Sequence, residues 1–179
     1  MKILFASSSL VAEPTLHALR TSRHEILGCL TGVDAARGRG QEFSENDFAR
    51  LAKSVGLPVF KPANSRELHQ LLIDLNPDVV VTISYGSLIK QRELEIPRYG
   101  WLNVHFSLLP RWRGASPVQR AIAAGDTLTG VTVFQLDRGL DTGPIFTSVK
   151  HSLMGDETTT TLLSDLASLA PTALLDALS

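Results

Sequence analysis

The chain has 179 residues, an apolar fraction of 44% and a formal net charge of −1. This length fits a single domain, which at this size buries about 70% of its unfolded surface and needs no disulfide or metal to hold it together. The one cysteine, Cys29, excludes an intramolecular disulfide framework, so we expect a cytoplasmic protein. No run of residues approaches the ~20 apolar residues of a membrane span, so we expect no membrane partner. The balanced charge also excludes a global basic field for nucleic acid.

Short apolar runs alternate with amphipathic stretches along the chain, which is typical of an α/β fold with an open, mostly parallel sheet flanked by helices. The predicted strands are Lys2–Ser7, Glu25–Thr31, Leu57–Phe60, Val79–Ser84, Trp101–His105, Gly130–Leu136 and Pro144–Val149. The predicted helices are Val11–Thr21, Asn46–Val55, Arg66–Leu75 capped by Ser65, a helix from Pro117 capped by Ser116 and closed by Gly125, and Thr159–Ser179. Pro171 predicts a kink or a division of the last helix. No linker or repeat interrupts this pattern, so we expect residues 1–179 to form one domain.

Several common chemistries are excluded by their missing motifs. The turn after the first predicted strand, SSSLVAEP, contains no glycine, so the dinucleotide-binding fingerprint is absent, and the chain has no P-loop. The five histidines lie at no metal-ligand spacing and Cys29 adds no further ligand, so we expect no metal.

The carboxyl ends of parallel strands are where an open sheet binds its ligand, which directs attention to the residues around Ser84 and His105. Asn103 and His105 are two apart in a predicted strand and therefore project from the same face. An amide donor beside an imidazole suits a reaction that develops negative charge on an oxygen. Two structural polar residues explain the same pattern, because N-x-H contains little information.

Two loops bear on this pair. The apolar segment from Ser107 to Pro110 follows His105 and either offers backbone groups to a flat heterocycle or forms a plain turn. Asp141 lies in a glycine-containing loop and is either a turn former or, if the loop folds back, a partner that stabilises the charged form of His105.

The segments NVHFSLLPRWRGASPVQRAIAAGD and GVTVFQLDRGLDTGPI resemble the N-terminal catalytic domain of the methionyl-tRNA formyltransferases, a branch of the 10-formyltetrahydrofolate-dependent formyltransferase family. The resemblance extends from Lys2 to about Leu178. It implies the Rossmann-like formyltransferase fold and a formyl transfer from 10-formyltetrahydrofolate to the α-amine of initiator methionyl-tRNA, for translation initiation. The implied catalytic residues are Asn103, His105 and Asp141. The implied folate-contacting residues are Ser107, Leu108, Leu109 and Pro110, with Ser87, Leu88 and Ile89 from the stretch SYGSLI.

The acceptor is indicated by RWRGASPVQ, residues 111–119, which is similar to the tRNA-directed branch. The resemblance implies tRNA contacts at Arg37, Arg39, Arg111 and Arg113, although a solvated, partly packed segment also explains the last two. The loop at 41–47 departs from the family's basic pattern, because acidic residues follow Arg37 and Arg39.

The resemblance implies folate and tRNA as partners and a monomer as the assembly. It also leads us to expect that the tRNA-contacting C-terminal barrel of this branch is absent from these 179 residues. Two alternatives stay open: transfer of the formyl group to another amine such as an amino sugar, and a folate-binding domain without turnover.

Overall fold

A computed structural model describes residues 1–37 and 42–179 of the chain. The strands within these ranges are β1 Lys2–Ser7, β2 Glu25–Leu30, β3 Ala35–Arg37, β4 Glu42–Ser44, β5 Val59–Phe60, β6 Val79–Ile83, β7 Trp101–His105, β8 Leu128–Gln135 and β9 Ile145–Ser152. The helices are α1 Glu13–Arg20, α2 Asp47–Ser54, α3 Ser65–Leu75, α4 Gln91–Leu94, α5 Pro117–Ala123 and α6 Thr159–Ala177, and a 3-10 turn at Leu10–Ala12 precedes α1.

One sheet with the strand order β5-β2-β1-β6-β7-β8-β9 forms the centre of the molecule. The pairs from β5 to β7 are parallel and the last two pairs are antiparallel, so the predicted open, mostly parallel sheet is confirmed. Strands β3 and β4 form a separate antiparallel hairpin in a segment that we expected to be a loop. That expectation was wrong because the hairpin strands are three residues each, too short to show an alternating apolar pattern.

The two faces of the sheet are covered by different helices. In β1, alternate apolar side chains pack against each of these two helix layers. Ile3 and Phe5 are fully buried in the cluster that contains α1, α2 and α6, whereas Leu4 and Ala6 are fully buried against α3. Full burial of the three large side chains, Ile3, Leu4 and Phe5, contributes about 1.5–3 kcal/mol each. A strand that is apolar on both faces is therefore expected in the middle of three layers.

Two helix predictions need correction. Asn64, rather than Ser65, caps α3, because its side-chain oxygen accepts the Glu67 N–H at 3.0 Å while the Ser65 hydroxyl donates to the Glu93 carboxylate at 2.7 Å. Ser116 precedes Pro117 as predicted but has a left-handed φ of 59° and makes no side-chain capping bond.

The last helix does not divide at Pro171, since α6 continues from 159 to 177. Leu166, Ala170 and Leu174 are buried on its inner face. We infer that their packing outweighs the loss of one backbone hydrogen bond at the proline.

Candidate active site

A cavity of about 510 Å³ lies at the carboxyl ends of β6 and β7, where the sheet topology predicts a ligand site. Its wall contains Asn103 and His105 from β7 and Asp141 from the loop after β8. The structure therefore brings the three residues predicted to be catalytic together around one cavity. Clefts of comparable volume elsewhere on the molecule contain none of the three.

Asn103 is held by its neighbour in the sheet. Thr82 lies opposite Asn103 in the β6–β7 pairing, and the Thr82 hydroxyl donates to Asn103 Oδ1 at 2.7 Å. Because this bond occupies the amide oxygen, the Nδ2 amino group is the part of Asn103 left to donate to a ligand. Thr82 is itself 4% exposed, so the bond is protected from water.

His105 has an acceptor near each ring nitrogen. Its Nε2 lies 2.9 Å from the backbone carbonyl of Trp112, and since a carbonyl only accepts, Nε2 carries a proton. Its Nδ1 lies 3.6 Å from Asp141 Oδ2, which is too long for a hydrogen bond. Asp141 is in the cavity wall and Trp112 is not, so we infer that Nδ1 is the nitrogen on the ligand side.

Asp141 reaches the site because its loop folds back over β7. Its Oδ2 accepts the backbone N–H of Gly114 at 2.7 Å, which fixes the carboxylate beside His105. Asp137 organises the same loop by accepting the Gly139 N–H at 2.9 Å and the Thr142 hydroxyl at 2.8 Å.

Backbone strain is concentrated around this cavity. Among the described residues, the non-glycine residues with positive φ are Asn76, Ser84, Trp112, Ser116 and Asp141. Ser84, Ser116 and Asp141 are in the cavity wall, and the Trp112 carbonyl binds His105. Such conformations cost about 1–3 kcal/mol each and collect at functional sites, where the surrounding structure maintains them.

The predicted folate residues fall into two groups. Ser87 and Ile89 are in the cavity wall, whereas the Leu88 side chain is 95% exposed and lies outside it. The residues of the segment 107–110 are not in that wall. They are fixed to β8, because the Thr132 hydroxyl donates to the Ser107 carbonyl at 2.7 Å and accepts the Leu109 N–H at 3.2 Å.

The predicted tRNA-contacting arginines have different surroundings. Arg111 is paired through two nitrogens with Asp126, at 2.9 and 2.5 Å, yet its side chain remains 57% exposed. Arg113 is exposed and forms no hydrogen bond or ion pair within the described part of the chain. Arg37 ends β3, and Arg39 lies outside the described residues.

Sequence reasoning missed the groups that orient the predicted site. Thr82 had a signal, since it is the one polar residue in the run VVVTI of a buried strand. The Trp112 carbonyl and the Gly114 N–H are backbone groups without a side-chain signal, and Asp126 is distant in sequence from the residues it contacts.

The described residues contain no cluster of three or more His, Cys, Asp or Glu side chains placed to hold a metal ion. In the same part of the chain, no helix combines the length and apolar character needed to cross a membrane.

Comparison with known proteins identifies the family. The family model described as formyl transferase matches residues 1–178. The chain belongs to the formyl transferase family. The family resemblance and the predicted fold class are thereby confirmed.

Similar proteins fall into the same family. A methionyl-tRNA formyltransferase of Salinispora tropica is 47% identical over 169 residues, which are 93% of this chain and 55% of that protein. A methionyl-tRNA formyltransferase of Thermobifida fusca is 46% identical over 93% of this chain and 54% of that protein. The chain thus spans about half the length of the curated relatives it matches.

Solved structures show the same fold. A phosphoribosylglycinamide formyltransferase from Bacillus halodurans has a TM-score of 0.80 at 25% identity, covering 99% of this chain and 94% of its own. A formyltetrahydrofolate deformylase from Pseudomonas syringae has a TM-score of 0.81 at 19% identity, covering 99% of this chain and 59% of its own. The second likeness, at its low identity, shows the formyltransferase fold alone.

Proposed function

We propose that this formyltransferase domain transfers the formyl group from 10-formyltetrahydrofolate to the α-amine of initiator methionyl-tRNA, for translation initiation. The observation that carries the proposal is the convergence of Asn103, His105 and Asp141 on one cavity. The acceptor is taken from the name of the curated relatives, which share nearly half of the aligned residues with this chain.

The cavity suits a folate in size and chemistry. Its volume of about 510 Å³ falls within the roughly 300–1,000 Å³ of small-molecule sites. Ile89, Leu136 and Leu140 supply apolar surface for a flat heterocycle, and the Asn103 amide and His105 imidazole supply polar groups beside it. Ser87 and Ile89 are proposed to contact the folate directly, and the segment Ser107–Pro110 to hold the wall in place.

The side chains have distinct roles in the proposed transfer. When the amine attacks the formyl carbon, a C–N bond forms, the bond to the donor nitrogen breaks, and the formyl oxygen becomes transiently negative. The Asn103 Nδ2 group and the His105 Nδ1–H donate to that oxygen. Asp141 orients the His105 ring, and it holds a water that removes the proton from the attacking amine. The same water passes a proton to the donor nitrogen as that nitrogen leaves.

The tRNA is proposed to approach over Arg113, whose exposed guanidinium is available for a phosphate. Arg111 is proposed as a weaker contact, because Asp126 already occupies two of its nitrogens. Arg37, at the end of β3, is proposed as a further phosphate contact, as is Arg39, which lies outside the described residues.

Salt dependence distinguishes the acceptors. The assay supplies 10-formyltetrahydrofolate with a labelled formyl group, and initiator methionyl-tRNA or an amino sugar as acceptor, at 50 and 200 mM salt. We expect labelled tRNA and a KM for tRNA that rises steeply with salt, because phosphate contacts release counterions. The variant Arg113→Gln should show a smaller salt effect.

Two results would contradict the proposal. Transfer to the amino sugar with a salt-independent KM would assign a different acceptor to the same site. Folate binding without formyl transfer or tetrahydrofolate release would identify a binding domain without turnover.

A further inference from the structure

Asp126 has no role in the proposed formyl transfer, but it forms hydrogen bonds with the loop that follows the segment 107–110. We propose that Asp126 is a positioning residue for His105, acting through the backbone carbonyl of Trp112. The inference rests on the proposed function for the importance of His105, but its geometry is independent of the acceptor.

Asp126 binds two successive side chains of this loop. Its carboxylate accepts two hydrogen bonds from the Arg111 guanidinium, at 2.9 and 2.5 Å, and one from the Trp112 indole N–H at 2.7 Å. The Arg111 guanidinium also stacks on the Trp112 ring, 4.4 Å from its centroid. Three charge-assisted bonds to one carboxylate, together with the cation–π contact between Arg111 and Trp112, fix both side chains relative to α5, which ends just before Asp126.

The fixed side chains define where the Trp112 carbonyl points. Trp112 has a φ of 61°, in the left-handed region that a bulky residue rarely adopts, and this conformation accompanies the 2.9 Å contact between its carbonyl and His105 Nε2. The preceding residue is also held, because the Ser107 hydroxyl donates to the Arg111 carbonyl at 2.6 Å. We infer that the bonds to Asp126 offset the strain at Trp112 and keep its carbonyl directed at His105.

The carbonyl fixes which nitrogen of the imidazole faces the cavity. With Nε2–H donated to Trp112, the ring cannot rotate without losing a bond, and Nδ1 is left facing Asp141 and the cavity. Hydrogen bonds of this kind to the far nitrogen set the tautomer and orientation of functional histidines.

The carboxylate of Asp126 is ionised at any pH at which the protein would work. Hydrogen bonds from Arg111, and then from Trp112, lower the pKa of Asp126 to about 2. The three contacts of Asp126 are therefore permanent features of the folded chain rather than a pH switch.

The test measures His105 directly. Nitrogen-15 NMR of the histidine ring distinguishes a protonated from an unprotonated Nε2 and needs no substrate. In the wild-type chain we expect the His105 Nε2 to be protonated. At a pH at which the ring carries a single proton, we expect a mixture of the Nδ1–H and Nε2–H tautomers in Asp126→Ala. We expect kcat to be lowered about 10- to 100-fold, the loss typical when groups that orient metal-bound histidines are removed, and KM for the folate to be unchanged.

Two further variants make the test specific. Trp112→Phe removes the pyrrole ring with its N–H and keeps an aromatic ring for the Arg111 guanidinium, so it decides the question if Asp126→Ala fails to fold. We expect it to shift the His105 signals in the same direction by a smaller amount. Asp47→Asn is the matched control, because Asp47 pairs with Arg50 on α2 outside the cavity wall. It should leave the His105 signals and kcat unchanged.

Different results overturn the two proposals. Unchanged His105 signals in folded Asp126→Ala or Trp112→Phe would overturn the positioning role, even if the chain transfers formyl groups. Shifted signals in a chain that transfers no formyl group would contradict the proposed function while supporting the positioning role.

Discussion

Thr82 provides a sharp test of how the site is oriented, because its hydroxyl makes one bond in the described structure and that bond is to Asn103 Oδ1. Thr82→Val replaces the hydroxyl by a methyl group of similar size and leaves the strand otherwise intact. A neutral hydrogen bond contributes about 0.5–1.5 kcal/mol. Since about 1.4 kcal/mol is a factor of ten in rate, we expect kcat to fall about 2- to 10-fold.

The assay is single-turnover formyl transfer, with thermal unfolding measured alongside. Thr82→Ser keeps the hydroxyl and is the matched control, so it should retain more activity than Thr82→Val. If Thr82 acts by orienting the Asn103 amide, the valine substitution should have no further effect on kcat in an Asn103→Ala background. An equal loss of kcat in both backgrounds, or unchanged kcat in the wild-type background, would refute the reasoning.

Two other predictions concern stability. Gly130→Ala should lower the free energy of unfolding by about 1–3 kcal/mol in urea titration, because the new Cβ would lie 2.1 Å from the Val149 carbonyl oxygen; Gly32→Ala, whose Cβ meets nothing closer than 3.5 Å, is the control and should be nearly neutral. The pKa of Asp126 is lowered from 3.8 to about 2, so the unfolded chain binds this proton first and stability should fall as the pH drops from about 4 to about 2. Asp126→Asn should make the stability less dependent on pH in this range, and an unchanged pH dependence would contradict the lowered pKa of Asp126.

The sheet was predictable where the chain is apolar on both faces. The predicted bounds of β1 match the structure, because a strand in the middle of a three-layer fold reads as a nearly continuous apolar run. The predicted bounds of β7 also match, although this strand contains Asn103 and His105. The β3–β4 hairpin was missed because strands of three residues carry no period. The first residue of β8 is Leu128 rather than Gly130, since strand ends depend on pairing with β9 more than on local sequence.

The part of the site that lies on a strand was predictable, because the two-residue period of a strand determines which side chains share a face. Asn103 and His105 share a face because side chains two apart in a strand always do. The approach of Asp141 to His105 depends on how the 137–143 loop folds. The local sequence predicts turns in this loop, but it does not predict that the loop packs near His105. The orienting contacts of Thr82 and Asp126 follow from strand register and tertiary packing, which no short motif encodes.

The most direct test of the account is the rate of labelled formyl transfer from 10-formyltetrahydrofolate to initiator methionyl-tRNA by wild type and Asn103→Ala. The account assigns the Asn103 amide to the developing charge on the formyl oxygen. Removing one such donor costs about 2.7–4 kcal/mol, so we predict a fall in kcat of about 10²–10³-fold with KM for the folate nearly unchanged. A folded Asn103→Ala variant that transfers the formyl group at the wild-type rate would contradict the account.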